Sequence, residues 1–194
     1  PRQFLGFLEG PDRKPFSKGS GRLELAEKIS QPTNPLTARV IVNRVWSWHF
    51  GVGLVDSASD FGLRCEEPLQ RNLLDYLSNF LVQNNWSLKQ LQREIVLSAT
   101  FRQQSQDHPT YSIDDPENRL LWKFNRQRLN LEGMRDTLLK VTDQLDERMA
   151  GKPVEITREP WKSRRSVYGY IERQNLPNFF RTFDFASPDS SSPG

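Results

Sequence analysis

Apolar residues recur every three or four positions over most of the chain, and this spacing predicts helices rather than strands. The clearest stripe begins at Pro68 and ends at two asparagines, residues 84–85. Its apolar members are Leu69, Leu73, Leu77 and Leu81, with Leu74 and Phe80 beside them. A shorter helix is predicted at residues 21–31, before Pro32, and another begins at Ser87, which is placed to cap its first turn. The pattern therefore predicts a mainly α-helical fold built from several helices.

Residues 34–51, "NPLTARVIVNRVWSWHFG", predict a central helix. Asn34 and Pro35 suit its first turn, and Gly51 suits the left-handed position that follows a helix. A helical wheel puts apolar residues on most sides of this helix. One face carries Ala38, Ile41, Val42, Val45, Trp48 and His49. Another face carries Trp46 and Phe50 together with Arg39 and Asn43. We therefore expect His49 to be a hydrogen-bonded core histidine, and a ligand-binding or catalytic role is the alternative.

Two more helices are predicted after a polar loop at residues 103–114. Asp115 and Pro116 have the residue types of a helix N-terminus. A later helix carries an apolar stripe with alternating spacings of three and four residues, formed by Leu131, Met134, Leu138, Val141 and Leu145. We interpret this stripe as core packing, with a partner interface as the alternative.

The pattern changes after Gly151. The segment "RRSVYGYIERQ" contains β-branched and aromatic residues, which predict a small β element near residues 165–172. Strand alternation would place Tyr168 and Tyr170 on one face.

Punctuation by glycine, proline and charge suggests the domain organisation. Residues 1–20 are predicted to be an extended arm or linker, and residues 21–194 a single mainly helical domain. The loop at residues 51–67 is long for a compact domain, and long loops often carry function.

Composition narrows the chemistry without identifying it. The chain has 27 Lys and Arg against 24 Asp and Glu, a net charge of +3, which is too mild to require a nucleic acid partner. With two histidines and one cysteine in the whole sequence, a zinc centre is not expected, and the C-x-x-C-H motif for covalent haem is absent. We therefore expect no cofactor in this chain, and no apolar run is long enough to span a membrane.

The most promising candidate site is the segment "RRSVYGYIERQNLPNFFRTFDF", residues 164–185. It gathers cationic, amide and aromatic side chains at a junction between a predicted strand and a turn. The candidate ligand-binding residues are Arg165, Tyr168, Tyr170, Arg173, Asn175, Arg181 and Asp184, with His49 added from the central helix. Such a surface suits a planar or sulfated ligand. The alternative is a polar network that fastens the segment to the helices.

Two other functions stay open at this point. Arg119, Arg126 and Arg128 alternate with Trp122 and Phe124, a pattern that also occurs where proteins clamp single-stranded nucleic acid. Asp184, paired with Asp60 or Glu172, would provide the two carboxylates of a glycan hydrolase.

Four ordered stretches between about residues 20 and 192 resemble one family. They are "NPLTARVIVNRVWSWHFGVGLVDSASDFG", "LLDYLSNFLVQNNWSLKQLQREIVLSATFRQ", "DPENRLLWKFNRQRLNLEGMRDTLL" and "RRSVYGYIERQNLPNFFRTFDFASPDSS". Together they are similar to a planctomycete domain of unknown function found C-terminal in large, secreted, cytochrome c-like proteins.

The resemblance implies a fragment of a longer extracytoplasmic protein, whose family pattern continues past "SPDSS". It implies other domains of that protein as partners, and it supplies no catalytic residues. We therefore expect an accessory or interaction domain, with an acidic or sulfated polysaccharide as a further partner. Nucleic acid is not the expected partner.

Overall fold

A computed structural model describes residues 2–58, 60–62, 65–172 and 175–183, and it confirms the prediction of a mainly helical fold. The helices are α1 (Gly6–Glu9), α2 (Arg22–Ser30), α3 (Thr37–Phe50), α4 (Arg71–Gln83), α5 (Leu88–Leu97), α6 (Tyr111–Asp114), α7 (Leu131–Val141) and α8 (Asn178–Thr182), with a 3₁₀ turn at Ser166–Tyr168. None of the helices in these ranges is long and apolar enough to cross a bilayer. Contacts divide the chain into two compact units, residues 1–126 and 127–193, called the N-terminal and C-terminal units below.

The N-terminal unit is built around α3, which packs against α4 and α5. Its core is aliphatic and aromatic, and its buried members include Val42, Val45, Trp46, Phe50, Leu74, Leu77, Leu81, Leu91 and Ile95. The ring of Phe50 stacks on Trp46 with centroids 4.0 Å apart, and it meets Phe101 edge-on at 5.8 Å. The leucine spacing therefore predicted the buried face of α4 correctly. Leu69 is the exception, because it precedes the first helical residue, Arg71, and is exposed.

The central helix differs from its prediction in two details. Gly51 ends it in the expected left-handed conformation, with φ of 82°. Asn34, however, is not the N-cap, because its side-chain oxygen accepts the Leu36 N–H at 3.0 Å in a turn before the helix begins. The expected core position of Trp48 is also wrong, since that side chain is 63% exposed, whereas Asn43 is fully buried. The buried face of α3 is thus rotated around the helix axis relative to the apolar face that the helical wheel predicted.

The first twenty residues contain local structure. Gln3 forms an isolated β-bridge with Pro15, and Phe4 is buried. The Glu24 carboxylate accepts the backbone N–H groups of Ser17 and Lys18, which lowers the pKa of Glu24. The role of this stretch as an arm or linker stays a prediction.

The C-terminal unit contains a small core under long irregular segments. Leu131, Ile156, Leu176 and Phe180 are its buried apolar residues. The interpretation of the α7 stripe as core packing is wrong for Leu138 and Val141, which are 59% and 81% exposed. Periodicity showed correctly which face of the helix is apolar, but among the described residues that face is covered only at its N-terminal end.

The small β element near residues 165–172 is reduced to isolated parallel bridges that join Asp146 to Arg164 and Val154 to Gly169. The predicted strand alternation is wrong because residues 166–168 form a 3₁₀ turn. The backbone turns here because a carboxylate on α7, that of Asp136, accepts both the N–H and the Oγ–H of Ser166, at 2.8 and 2.7 Å.

Candidate functional site

One arginine organises the polar part of the C-terminal unit. Arg135 projects from α7 and its side chain is only 15% exposed. It donates hydrogen bonds to the carbonyls of Lys162 and of Arg164 (2.9 Å) and to Ser166 Oγ (3.1 Å). Burial lowers the pKa of Arg135, and the neighbouring Asp136 opposes that effect. We call this set of contacts the Arg135 clamp, because a planar guanidinium can hold several carbonyls in one geometry.

A second arginine fastens the preceding loop. Arg164 donates to the carbonyls of Arg148 (3.0 Å) and Ala150, and its guanidinium lies 4.2 Å from the centre of the Tyr168 ring. The Tyr168 hydroxyl accepts the Ala150 N–H at 2.8 Å. Gly151 has φ of +101°, and a Cβ there would lie 3.1 Å from the Arg164 guanidinium, so glycine is required. Tyr168, a predicted ligand-binding residue, is therefore part of a polar network inside the unit.

Outside this network the loop presents a basic and aromatic surface. Trp161 is 65% exposed, the exposed Lys162 follows it directly, and Arg165, also exposed, lies four residues after it. Arg158 is exposed three residues earlier. Within the described residues none of these three cations forms an ion pair. We call Arg158, Trp161, Lys162 and Arg165 the Trp161 surface.

Two acidic groups of the preceding segment, Asp146 and Glu147, are matched to cations. Asp146 forms a forked contact with Arg148, at 2.6 Å for one N–O pair, and this contact lowers the pKa of Asp146 from 3.8 to about 2. Glu147 accepts a hydrogen bond from Lys140 at 2.5 Å, which lowers the pKa of Glu147. These two carboxylates are therefore engaged by cations. Glu159 is exposed between Arg158 and Trp161 and offsets part of the positive charge, so the Trp161 surface has a smaller net positive charge than its three cations alone would give.

The other sequence candidates are scattered. Tyr170 is 54% exposed and is held through its backbone N–H, which donates to Val154 at 2.8 Å, while Asn175 is exposed. Arg173 and Asp184 lie outside the described residues, as does the Arg181 side chain. Of the predicted set, Arg165 alone belongs to the Trp161 surface. Sequence reasoning passed over Trp161, although a tryptophan among basic residues in "REPWKSRR" was a signal.

His49 belongs to the N-terminal unit. Its Nδ1 lies 2.7 Å from the carbonyl oxygen of Val45, one turn earlier in α3. Its ring meets Phe101 edge-on with centroids 5.9 Å apart. This geometry agrees with the hydrogen-bonded role predicted for it, and a ligand-binding role stays a prediction.

The N-terminal unit has a cleft of about 260 Å³ where α3 ends and α4 begins. One wall is fixed by the buried Asn43, whose amide donates to the Val55 carbonyl and whose oxygen accepts the Val55 N–H, both at 2.9 Å. A Cβ at Gly53 would lie only 2.5 Å from the Val55 oxygen and 2.8 Å from the Asn43 amide nitrogen. Glycine at 53 therefore lets the loop approach the helix closely.

The opposite wall is a turn that replaces the helix predicted from Asp115. The Asp115 carboxylate accepts the N–H groups of Arg119 and Leu120 at 2.9 and 2.8 Å. The buried Asn118 donates to the Lys123 carbonyl at 2.8 Å and accepts the Lys123 N–H at 3.2 Å. The residue types of a helix cap are present, but they stabilise a turn because the side chains bond to backbone groups within it.

Carboxylates surround the cleft and apolar residues form its floor. Trp46, Leu54 and Leu121 supply apolar surface, and the acidic lining residues are Asp56, Glu66, Glu67 and Glu117. Among the described residues the one basic lining residue is Arg119, which pairs with Glu66 at 3.3 Å. Over the ranges that the structure describes, no three metal-binding side chains are grouped closely enough to hold a metal ion.

Several residues of the basic and aromatic alternation at 119–128 make contacts within the fold, and a nucleic acid role for this stretch stays an untested alternative. Phe124 packs into the core, 5.7 Å from Phe50 and 5.2 Å from Phe101 between ring centres. Trp122 donates its indole N–H to the Asp115 carbonyl at 2.9 Å, and Arg126 donates to the Ser105 carbonyl at 3.1 Å. These groups serve the fold of the turn.

The proposed hydrolase carboxylates are not brought together by any described contact. Asp60 accepts the Gly62 N–H at 3.0 Å within its own loop, and Glu172 is exposed. Since Asp184 lies outside the described residues, the hydrolase alternative stays a prediction.

Comparison with known proteins supplies a family and no activity. No curated protein and no solved structure matches the chain. One family model matches residues 21–194, so it spans both units. The match covers far more than half of the sequence and includes all four stretches that carried the resemblance. The chain therefore belongs to the PSD1 family, described as a protein of unknown function (DUF1553).

Proposed function

We propose that this chain is a non-catalytic accessory domain that binds an anionic polysaccharide at the Trp161 surface. The observation that supports the proposal is that Trp161 is 65% exposed on a loop held by the Arg135 clamp. The same loop exposes Lys162, the next residue, and Arg165, four residues after Trp161. An indole ring stacks on the apolar face of a sugar, and cations bind its sulfate or carboxylate groups.

The clamp supports the proposal because it removes part of the cost of binding. The carbonyls of Lys162 and Arg164 precede the 3₁₀ turn and both accept hydrogen bonds from the Arg135 guanidinium. A loop that is already ordered loses less conformational entropy when a ligand binds. The exposed side chains of the Trp161 surface are thus carried on a fixed backbone.

The cellular setting is part of the same proposal and rests on family resemblance. The domain would lie outside the cytoplasm in a longer planctomycete protein associated with cytochrome c, and contact other domains of that protein. A polysaccharide-binding accessory domain would keep that protein close to an extracellular polymer.

Binding to dextran sulfate, with uncharged dextran as the reference polymer, tests the proposal. We expect tryptophan fluorescence or calorimetry to show saturable binding of dextran sulfate at near-physiological ionic strength. Trp161→Ala should weaken it roughly tenfold because the indole ring can no longer stack on a sugar. Separately, the pair Lys162→Ala and Arg165→Ala should weaken it by at least roughly tenfold, since a charge-assisted contact contributes about 1.5–3 kcal/mol.

The matched control removes one lysine and one arginine from exposed positions of α5, Lys89→Ala with Arg93→Ala. It changes the net charge equally and should retain wild-type affinity. Equal losses in the control and the Trp161-surface variants would mean nonspecific charge attraction and would overturn the proposal, as would a failure of the wild-type protein to bind.

A further inference from the structure

We propose that the cleft of the N-terminal unit binds the basic side chain, arginine or lysine, of a polypeptide segment. This site is separate from the Trp161 surface and takes a ligand of opposite charge. Three features of the cleft carry the proposal: its apolar floor, its uncompensated carboxylates and its fixed walls.

The floor suits the stem of a long basic side chain. Trp46, Leu54 and Leu121 line a space of about 260 Å³, close to the lower end of the range of small-ligand pockets. Lysine and arginine bury their methylene groups against apolar surface while their charged ends stay near polar partners. An apolar floor with a charged rim therefore fits both parts of such a side chain.

The charges around the cleft select a cation. Of its four carboxylates, Glu66 is matched by Arg119 at 3.3 Å and Glu67 by Arg71 at 2.8 Å. In the part of the chain that the structure describes, Asp56 and Glu117 form no ion pair or hydrogen bond through their side chains. Two negative charges thus remain for a ligand. An ammonium or guanidinium group supplies both the charge and the N–H donors that carboxylates accept.

The backbone next to those two carboxylates is fixed, while both side chains are exposed. Asp56 directly follows Val55, which is bonded on both sides of its backbone to the buried Asn43. Glu117 directly precedes Asn118, whose side chain closes the opposite turn. Gln70 joins the walls, because its amide donates to the Arg119 carbonyl at 2.5 Å. A rigid cleft keeps its affinity for a small flexible side chain because only the ligand must be ordered.

Titration with three capped tripeptides, Gly-Arg-Gly, Gly-Lys-Gly and Gly-citrulline-Gly, tests the site by NMR. Citrulline has nearly the shape of arginine but no charge. We expect saturable shifts of the Val55 and Asn118 amide signals with the arginine and lysine peptides and none with citrulline. The double variant Asp56→Asn and Glu117→Gln should weaken binding roughly tenfold, because each lost contact is charge-assisted.

The control variant Glu27→Gln with Asp114→Asn removes the same charge from exposed positions outside the cleft and should bind as the wild type does. Unchanged spectra elsewhere will show that both variants are folded. Equal binding of the citrulline peptide, equal binding by the cleft variant, or no shift with either basic peptide would overturn the proposal. None of these outcomes affects the dextran sulfate experiment, which reports on the other unit.

Discussion

The two units of this protein are stabilised in different ways. The N-terminal unit buries the apolar faces of three helices, and the rings of Trp46 and Phe50 lie at its centre. Over its described residues, 127–172 and 175–183, the C-terminal unit has one helix of more than two turns, and its loops are fixed by Arg135, Asp136 and Arg164 bonding to backbone groups. Apolar packing tolerates small shifts, whereas such hydrogen bonds require particular atoms at particular positions. A surface loop can therefore be fixed mainly by hydrogen bonds from side chains to its backbone, with few apolar contacts.

Truncation at the centre of the N-terminal core should have the largest effect on stability. Phe50 is 2% exposed and contacts three other aromatic rings, so Phe50→Ala should lower the free energy of unfolding by about 3–5 kcal/mol. Trp48 is also a large aromatic residue of α3, but it is 63% exposed. Trp48→Ala should change stability by roughly 0.5 kcal/mol or less. Urea denaturation measures both values, and similar losses in the two variants would contradict the burial of α3.

Loss of the buried side-chain amide of Asn43 should have the next largest effect on stability. Asn43→Ala would leave the N–H and carbonyl of Val55 without partners in a buried loop, which should cost about 2–4 kcal/mol. The matched control is Asn72→Ala on the exposed side of α4, where alanine favours the helix and stability should be unchanged or slightly higher. Thermal denaturation tests the difference. A loss for Asn43→Ala no larger than that of the control would show that the loop is not held by this amide.

The same contrast explains what the sequence predicted about the fold. Leu74, Leu77 and Leu81 were expected inside because helical periodicity depends only on neighbours along the chain, and all three are buried. The spacing of apolar residues does not show whether another part of the protein covers the apolar face of a helix. The α7 stripe therefore predicted an apolar side correctly but not the exposure of Leu138 and Val141.

Prediction of the fold from the sequence was limited mainly by side chains that form hydrogen bonds with backbone groups far away along the chain. Asn43 lies 12 residues from Val55, and Arg135 lies 29 residues from Arg164, so no local pattern relates the partners. The same limit applied to the candidate site. Arg165 was chosen because residues 164–185 are rich in cationic and aromatic side chains. Trp161 lies outside that segment, and its place on a loop held by Arg135 is visible only in the fold.

Native-state hydrogen exchange of Arg135→Ala most directly tests whether this clamp holds the C-terminal unit. The amide of Ser166, which is bonded to Asp136 and whose Oγ belongs to the clamp, should exchange at least roughly tenfold faster than in the wild type. The amide of Val55, held by Asn43 in the N-terminal unit, should keep its rate. An unchanged rate at Ser166, or an equal increase at Val55, would contradict the account of two differently stabilised units.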